Sequence, residues 1–202
     1  MRPDYDTAVA EIISAGQFLA KQGWAPATAG NYSMRLKNGC IAMTVSGFEK
    51  GELTPDAVMT VDAEGKPLDN RRPSAEMLLH IGIYTVSPET NAILHTHSKG
   101  ATVFTKRHKD LKAIRLADYE LLKIYPHIST HDTSVDLPIF DNTQDMKALR
   151  EEVDPVLANG IPAYLIRGHG LYGWGRTMAE ARSVVEATEF MLACELELRS
   201  VA

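Results

Sequence analysis

Apolar side chains recur at helical spacing near the start of the chain. Ala8, Ile12, Ile13, Ala15, Phe18 and Leu19 fall on one stripe that stops at Gly23, which predicts an amphipathic helix ended by a glycine. The period then shortens. Asn31 to Leu36 and Cys40 to Val45 read as two short strands, and Lys37-Asn38-Gly39 between them carries the Asn-Gly pair of a tight hairpin turn. Ser74 is placed to cap a helix through Met77, Leu78, Ile81 and Tyr84, and Ser87-Pro88 ends it. The apolar run Ala92-Ile93-Leu94 predicts a buried strand directly afterwards. Asp145 to Leu157 predicts another helix, closed by Asn159-Gly160, and Ala163 to Ile166 a short buried strand. Thr177-Met178-Ala179-Glu180 has the form of a capping box opening a long last helix through Met191 and Leu196. Helices and strands alternate with no repeat or linker, so the pattern predicts one layered α/β domain over residues 1–202.

Composition narrows the function classes. With 45% hydrophobic and 23% charged residues among 202, the chain can bury a continuous core. A net charge of -5 with scattered Lys and Arg argues against a nucleic-acid surface. The first residues lack an apolar signal core and no stretch approaches membrane-spanning length, so a cytoplasmic protein with no membrane partner is expected. Cys40 and Cys194 have no metal-ligand spacing and are expected as reduced core thiols.

The candidate chemistry centres on His95-Thr96-His97 at the end of the apolar run. In an extended strand residues i and i+2 share a face, so the two imidazoles converge, an arrangement suited to a divalent metal. His169 is the best third ligand because Gly168 and Gly170 bare the backbone around it; His131 is its strongest competitor. Asn31, Ser46, Gly47 and the helix start at Ser74 supply the amides and hydroxyls of an anion cradle, to which Lys50 adds a point charge. Glu76 and Glu120 are the acid/base candidates. Glu120 borders an apolar segment, where partial burial would lift its pKa toward neutral. His80 is expected to pack.

In order along the chain, Ala29-Gly30-Asn31-Tyr32-Ser33, Val45-Ser46-Gly47, Pro73-Ser74-Ala75-Glu76, His95-Thr96-His97 and Gly168-His169-Gly170 resemble the motifs of the class II aldolase/adducin superfamily. Longer runs around Ser46 to Lys50, Tyr119 to Lys123, Pro138 to Thr143 and Gly168 to Gly175 resemble its sugar-phosphate dehydratases. The resemblance implies a three-layer α/β/α fold with a central, mainly antiparallel sheet and a cyclic homotetramer with sites at subunit boundaries. It also implies one Zn2+ per subunit on His95, His97 and His169, with phosphate contacts at Asn31, Ser46, Gly47, Ser74 and, beside them, Lys50. The family's base maps onto Glu120 in the dehydratases and onto Glu76 in the aldolases, and this chain has both. Dehydration of a small phosphorylated hydroxy-ketone is thus the expected activity, with a zinc-dependent aldolase or epimerase as the alternative. An adducin-type scaffold has no physical need for three converging imidazoles.

Overall fold

A computed structural model describes residues 2–199. Eight strands form one sheet: β1 (Asn31–Arg35), β2 (Ile41–Thr44), β3 (Val58–Val61), β4 (Ala92–Thr96), β5 (Ala113–Ala117), β6 (Ser134–Phe140), β7 (Ala163–Ile166) and β8 (Gly170–Gly175). Their order across the sheet is β3-β2-β1-β4-β8-β7-β6-β5, and all neighbours are antiparallel except β6 and β7. Among the described residues five α-helices cover it: α1 (Tyr5–Lys21), α2 (Met77–Val86), α3 (Lys99–Arg107), α4 (Met146–Val153) and α5 (Met178–Leu198).

Alternation along the strands divides the core in two. Leu94 and Leu171 pack with α1, α3 and α5 on one face, while Ile93, Tyr172 and Trp174 pack with α2 and α4 on the other. The three-layer arrangement with a mainly antiparallel sheet agrees with expectation. Among the described residues, no helix is long and apolar enough to cross a membrane.

Four local expectations need correction. Glu76, not Ser74, is the N-cap of α2; a turn intervenes, in which the Ser74 hydroxyl accepts from the Glu76 N–H at 3.3 Å. The helix expected over Asp145 to Leu157 ends at Val153, because Pro155 has no N–H to continue the ladder, and a short 3₁₀ turn at Leu157–Asn159 leads to Gly160. At the start of α5 the Thr177 side chain accepts from Glu180 N, as a capping box requires, but the Glu180 carboxylate returns to Arg176 N instead of the cap residue. Cys40 and Cys194 are unpaired, as expected, but half-buried instead of in the core.

Candidate metal centre and active site

Three neighbouring strands assemble the centre. His95 on β4 lies opposite Asn31 on β1 and Tyr172 on β8, so the three side chains form a row across the face that α2 covers. His97 follows the end of β4 on the same side, its N–H held by the Trp24 carbonyl at 2.8 Å. His169 occupies the turn from β7 to β8. Gly168 takes the positive φ of 65° that this turn needs. A side chain at Gly170 would put its Cβ 1.8 Å from the Thr96 carbonyl oxygen, so only glycine lets this turn lie against the end of β4. Helix α3 pins the turn from behind, with Gly168 N–H donating to Thr105 Oγ1 at 2.9 Å and Thr102 Oγ1 donating to the His169 carbonyl at 3.3 Å.

The result is a four-membered cluster of Glu76, His95, His97 and His169 whose ligand atoms all lie within 4.8 Å of one another. Nε2 of His169 is 3.4 Å from Nε2 of His95 and 3.1 Å from Nε2 of His97. Glu76 brings Oε2 to 3.3 Å from His95 Nε2 and Oε1 to 3.1 Å from His169 Nε2. Tetrahedral ligands about 2.0–2.1 Å from a central zinc stand roughly 3.3–3.4 Å apart, so these spacings suit such an ion. Protonation agrees. The Nδ1 of His95 lies 3.1 Å from the Leu171 carbonyl and that of His169 3.4 Å from Asn142 Oδ1, partners that occupy the outer nitrogens and turn both Nε2 atoms inward. Burial lowers the pKa of His95 to about 4 and that of His97 to about 3, so both are neutral at physiological pH. Burial alone would raise the Glu76 carboxyl; the adjoining His95 and His169, where they carry a proton, and the donating Asn31 amide lower it.

The cluster opens on a cavity of about 310 Å³ lined by Asn31, Ser46, Gly47, Lys50, Ser74, Glu76, His97 and His169, with Met146 on its wall. Every anion-cradle residue expected from sequence therefore reaches one space. Two of them also hold the site together. Lys50 is 1% exposed and braces two loops, its Nζ donating to the Thr28 carbonyl at 2.9 Å and the Phe48 carbonyl at 2.7 Å. Burial lowers its pKa to about 8, and among the described residues no carboxylate pairs with it. Asn31 has its side-chain oxygen committed to His80 Nε2 and its amide to Glu76 Oε2, so it supports the carboxylate before it meets any phosphate.

Glu120 lies elsewhere in the chain. It begins a 3₁₀ turn, its side chain is 67% exposed, and it does not line the cavity. Its pKa is lowered, chiefly by the hydrogen bond from Lys123, with desolvation opposing weakly; His131 stands 3.6 Å away. The expected rise toward neutrality is thus overturned for the single subunit, because the carboxyl is solvated and paired instead of buried. His131 stands beside Glu120 and not in the four-membered cluster, in which His169 is the third imidazole.

Sequence reasoning missed Tyr172, whose ring stacks on His95 with centroids 4.0 Å apart and whose hydroxyl donates to Glu76 Oε2 at 3.2 Å. The aromatic flanked by Leu171 and Gly173 was visible, but only the pairing of β4 with β8 places it.

Residues 10–196 match a known family model, the class II aldolase and adducin N-terminal domain. The chain belongs to this family. A relative from Methylococcus capsulatus named methylthioribulose-1-phosphate dehydratase is 46% identical over 200 residues, covering 98% of this chain and 97% of that protein. One of the same name from Gluconacetobacter diazotrophicus is 50% identical over 196 residues, covering 96% and 95%. Among solved structures, an L-fuculose 1-phosphate aldolase superposes with a TM-score of 0.81 at 21% identity, covering 97% of this chain and 88% of its own. The L-fuculose-1-phosphate aldolase of Thermus thermophilus does so with a TM-score of 0.73 at 25% identity, covering 94% and 93%. The class II aldolase fold and the histidine and carboxylate cluster thus occur together in this chain.

Proposed function

We propose that this chain is a zinc-dependent hydro-lyase of methionine salvage, converting 5-methylthio-D-ribulose 1-phosphate to 5-methylthio-2,3-dioxopentyl phosphate. The observation that carries the reading is that one cavity joins a cluster of three imidazoles and a carboxylate, suited to a cation, to a buried ammonium with no carboxylate partner among the described residues and a set of hydroxyls. A phosphate needs the second and a hydroxy-ketone the first. The relatives of that name, matched over nearly their whole length, support the substrate.

In this reading His95, His97 and His169, with Glu76 beside them, hold one Zn2+ per subunit, and the bound ion supplies Lewis-acid polarisation of the C2 carbonyl. Lys50, Ser46, Gly47 and Ser74 hold the phosphate. Asn31 and Tyr172 keep Glu76 turned to the cation. The base must remove the C3 proton and return it to the departing C4 hydroxyl as water, after which the enol tautomerises to the diketone. Glu120 takes this part from a neighbouring subunit, since in its own chain it faces solvent outside the cavity. The working unit is accordingly an oligomer, a cyclic homotetramer in the cytoplasm.

Glu76 favours a second reading. It is the carboxylate already inside the cluster, placed to take a proton from a ligand bound there, as carbon–carbon cleavage by a sugar-phosphate aldolase or an epimerisation would require. Incubating the zinc-loaded protein with 5-methylthioribulose 1-phosphate and following diketone absorbance and product mass separates the two. Diketone with loss of water is expected; two cleavage fragments without diketone would replace the dehydratase by the aldolase.

A further inference from the structure

Behind Glu76 runs a line of buried polar groups that the reaction does not touch. Glu76, His80 and Tyr84 recur every four residues from the N-cap of α2, so they share one face of the helix. Opposite them, Asn31 and Ser33 are two apart on β1 and project from the same face of the sheet. The two sets interleave. Asn31 Nδ2 donates to Glu76 Oε2 at 2.7 Å, Asn31 Oδ1 meets His80 Nε2, Ser33 Oγ lies 2.7 Å from His80 Nδ1, and Tyr84 Oη lies 2.9 Å from Ser33 Oγ. His80 and Ser33 are fully buried. At the far end Arg35 donates to the Tyr84 carbonyl at 2.6 Å and lies over its ring.

The donors in this line have only one consistent order. A carboxylate accepts only, so Asn31 turns its amide toward Glu76 and its oxygen toward His80. That oxygen needs a proton from His80 Nε2, which makes Nδ1 of the neutral ring an acceptor. Ser33 must then donate to Nδ1, and its oxygen accepts from the Tyr84 hydroxyl. Every hydrogen bond points toward Glu76, and bonds in series with one polarity strengthen each other.

We propose that His80, with Ser33 and Tyr84 behind it, is a positioning residue that locks Asn31, and through it the Glu76 carboxylate, in the orientation that faces the cation. Packing alone would leave His80 replaceable by an apolar residue of similar size. The relay does not. The inference deepens the reading of this cluster as a metal-dependent catalytic site.

The test compares His80→Leu, His80→Gln and Ser33→Ala with the wild type, each checked for folding by circular dichroism. Cobalt(II) titrated into metal-free protein reads the site without substrate, and turnover of 5-methylthioribulose 1-phosphate reads it during reaction. His80→Leu should lose about 10- to 100-fold in cobalt affinity, in kcat or in both, with KM nearly unchanged, the usual cost of removing an outer partner of a metal site. His80→Gln should recover most of the loss, because its amide donates and accepts in the same sense, and Ser33→Ala should fall between. Nitrogen NMR of the metal-free protein should find His80 as the Nε2–H tautomer. An Nδ1–H tautomer would overturn the proposal, as would a folded His80→Leu within about twofold of wild type in both cobalt affinity and kcat, or one that His80→Gln does not improve. If His80→Leu does not fold, Ser33→Ala and the tautomer decide. If the wild type leaves the substrate untouched, the dehydratase reading fails while the cobalt and NMR results still judge the relay.

Discussion

Glu189→Gln is expected to stabilise the protein above neutral pH and to change it little in acid. Glu189 is 4% exposed on the inner face of α5, beneath the end of the strand that carries His95. Thr96 Oγ1 donates to its Oε1 at 3.1 Å, Ser98 is its other hydroxyl partner, and among the described residues no cation pairs with it. Burial raises its pKa from 4.5 to about 7, against the smaller opposing pull of the two hydroxyls. A carboxyl that holds its proton more tightly folded than unfolded contributes stability that is complete below the unfolded value and lost as pH rises through the folded one. The window therefore runs from 4.5 to about 7. At roughly 1.4 kcal/mol per pH unit the loss across it is ~3 kcal/mol. For a chain of this size that is roughly 6–12 °C in melting midpoint. Glutamine keeps the volume and an acceptor for Thr96 but has no proton to lose. Melting both proteins from pH 5 to 9 at one fixed metal concentration, and subtracting the curves, removes the other titrating groups. The difference should be small at pH 5, grow toward about pH 7 in favour of the variant and level off above it. Parallel profiles would refute the argument, since they would mean that Glu189 ionises in the folded chain as easily as in water.

Alanine at His95, His97 or His169 should lower bound zinc measured by elemental analysis, because each removal leaves an under-coordinated ion, whereas His131→Ala should keep full metal. Full zinc content and full activity in His169→Ala would take that residue out of the site. Glu120→Gln should fold, hold zinc and lose on the order of 10² in turnover, the usual weight of a general base, and Glu76→Gln should lose less. The reverse ranking of those two variants, read from kcat on the same substrate, would move the chemistry toward the aldolase.

The local pattern of the chain carried much of the result. The period of two through His95 and His97 puts both rings on one face of a strand, and that follows from backbone geometry wherever the strand lies. The Asn-Gly turn, the stripe of the first helix and the glycines around His169 are likewise properties of a few adjacent residues, and each was found where the residues placed it. What the pattern could not contain is adjacency between distant segments. β8, with the sequence Gly-Leu-Tyr-Gly-Trp-Gly, has little intrinsic strand preference; it is a central strand because a glycine at 170 lets it lie against the Thr96 carbonyl and because β4 and β7 satisfy its backbone. Only that pairing puts Tyr172 on His95. Burial is equally nonlocal: Lys50 sits between Glu49 and Gly51 and Glu120 between Tyr119 and Leu121, yet the first is buried and the second stands in water. Side-chain direction depends on the residues next door, whereas desolvation and hydrogen-bond partners depend on which segments come to rest on top. For that reason the three imidazoles could be read from the sequence, and the polar line that holds Glu76 toward them required the folded chain.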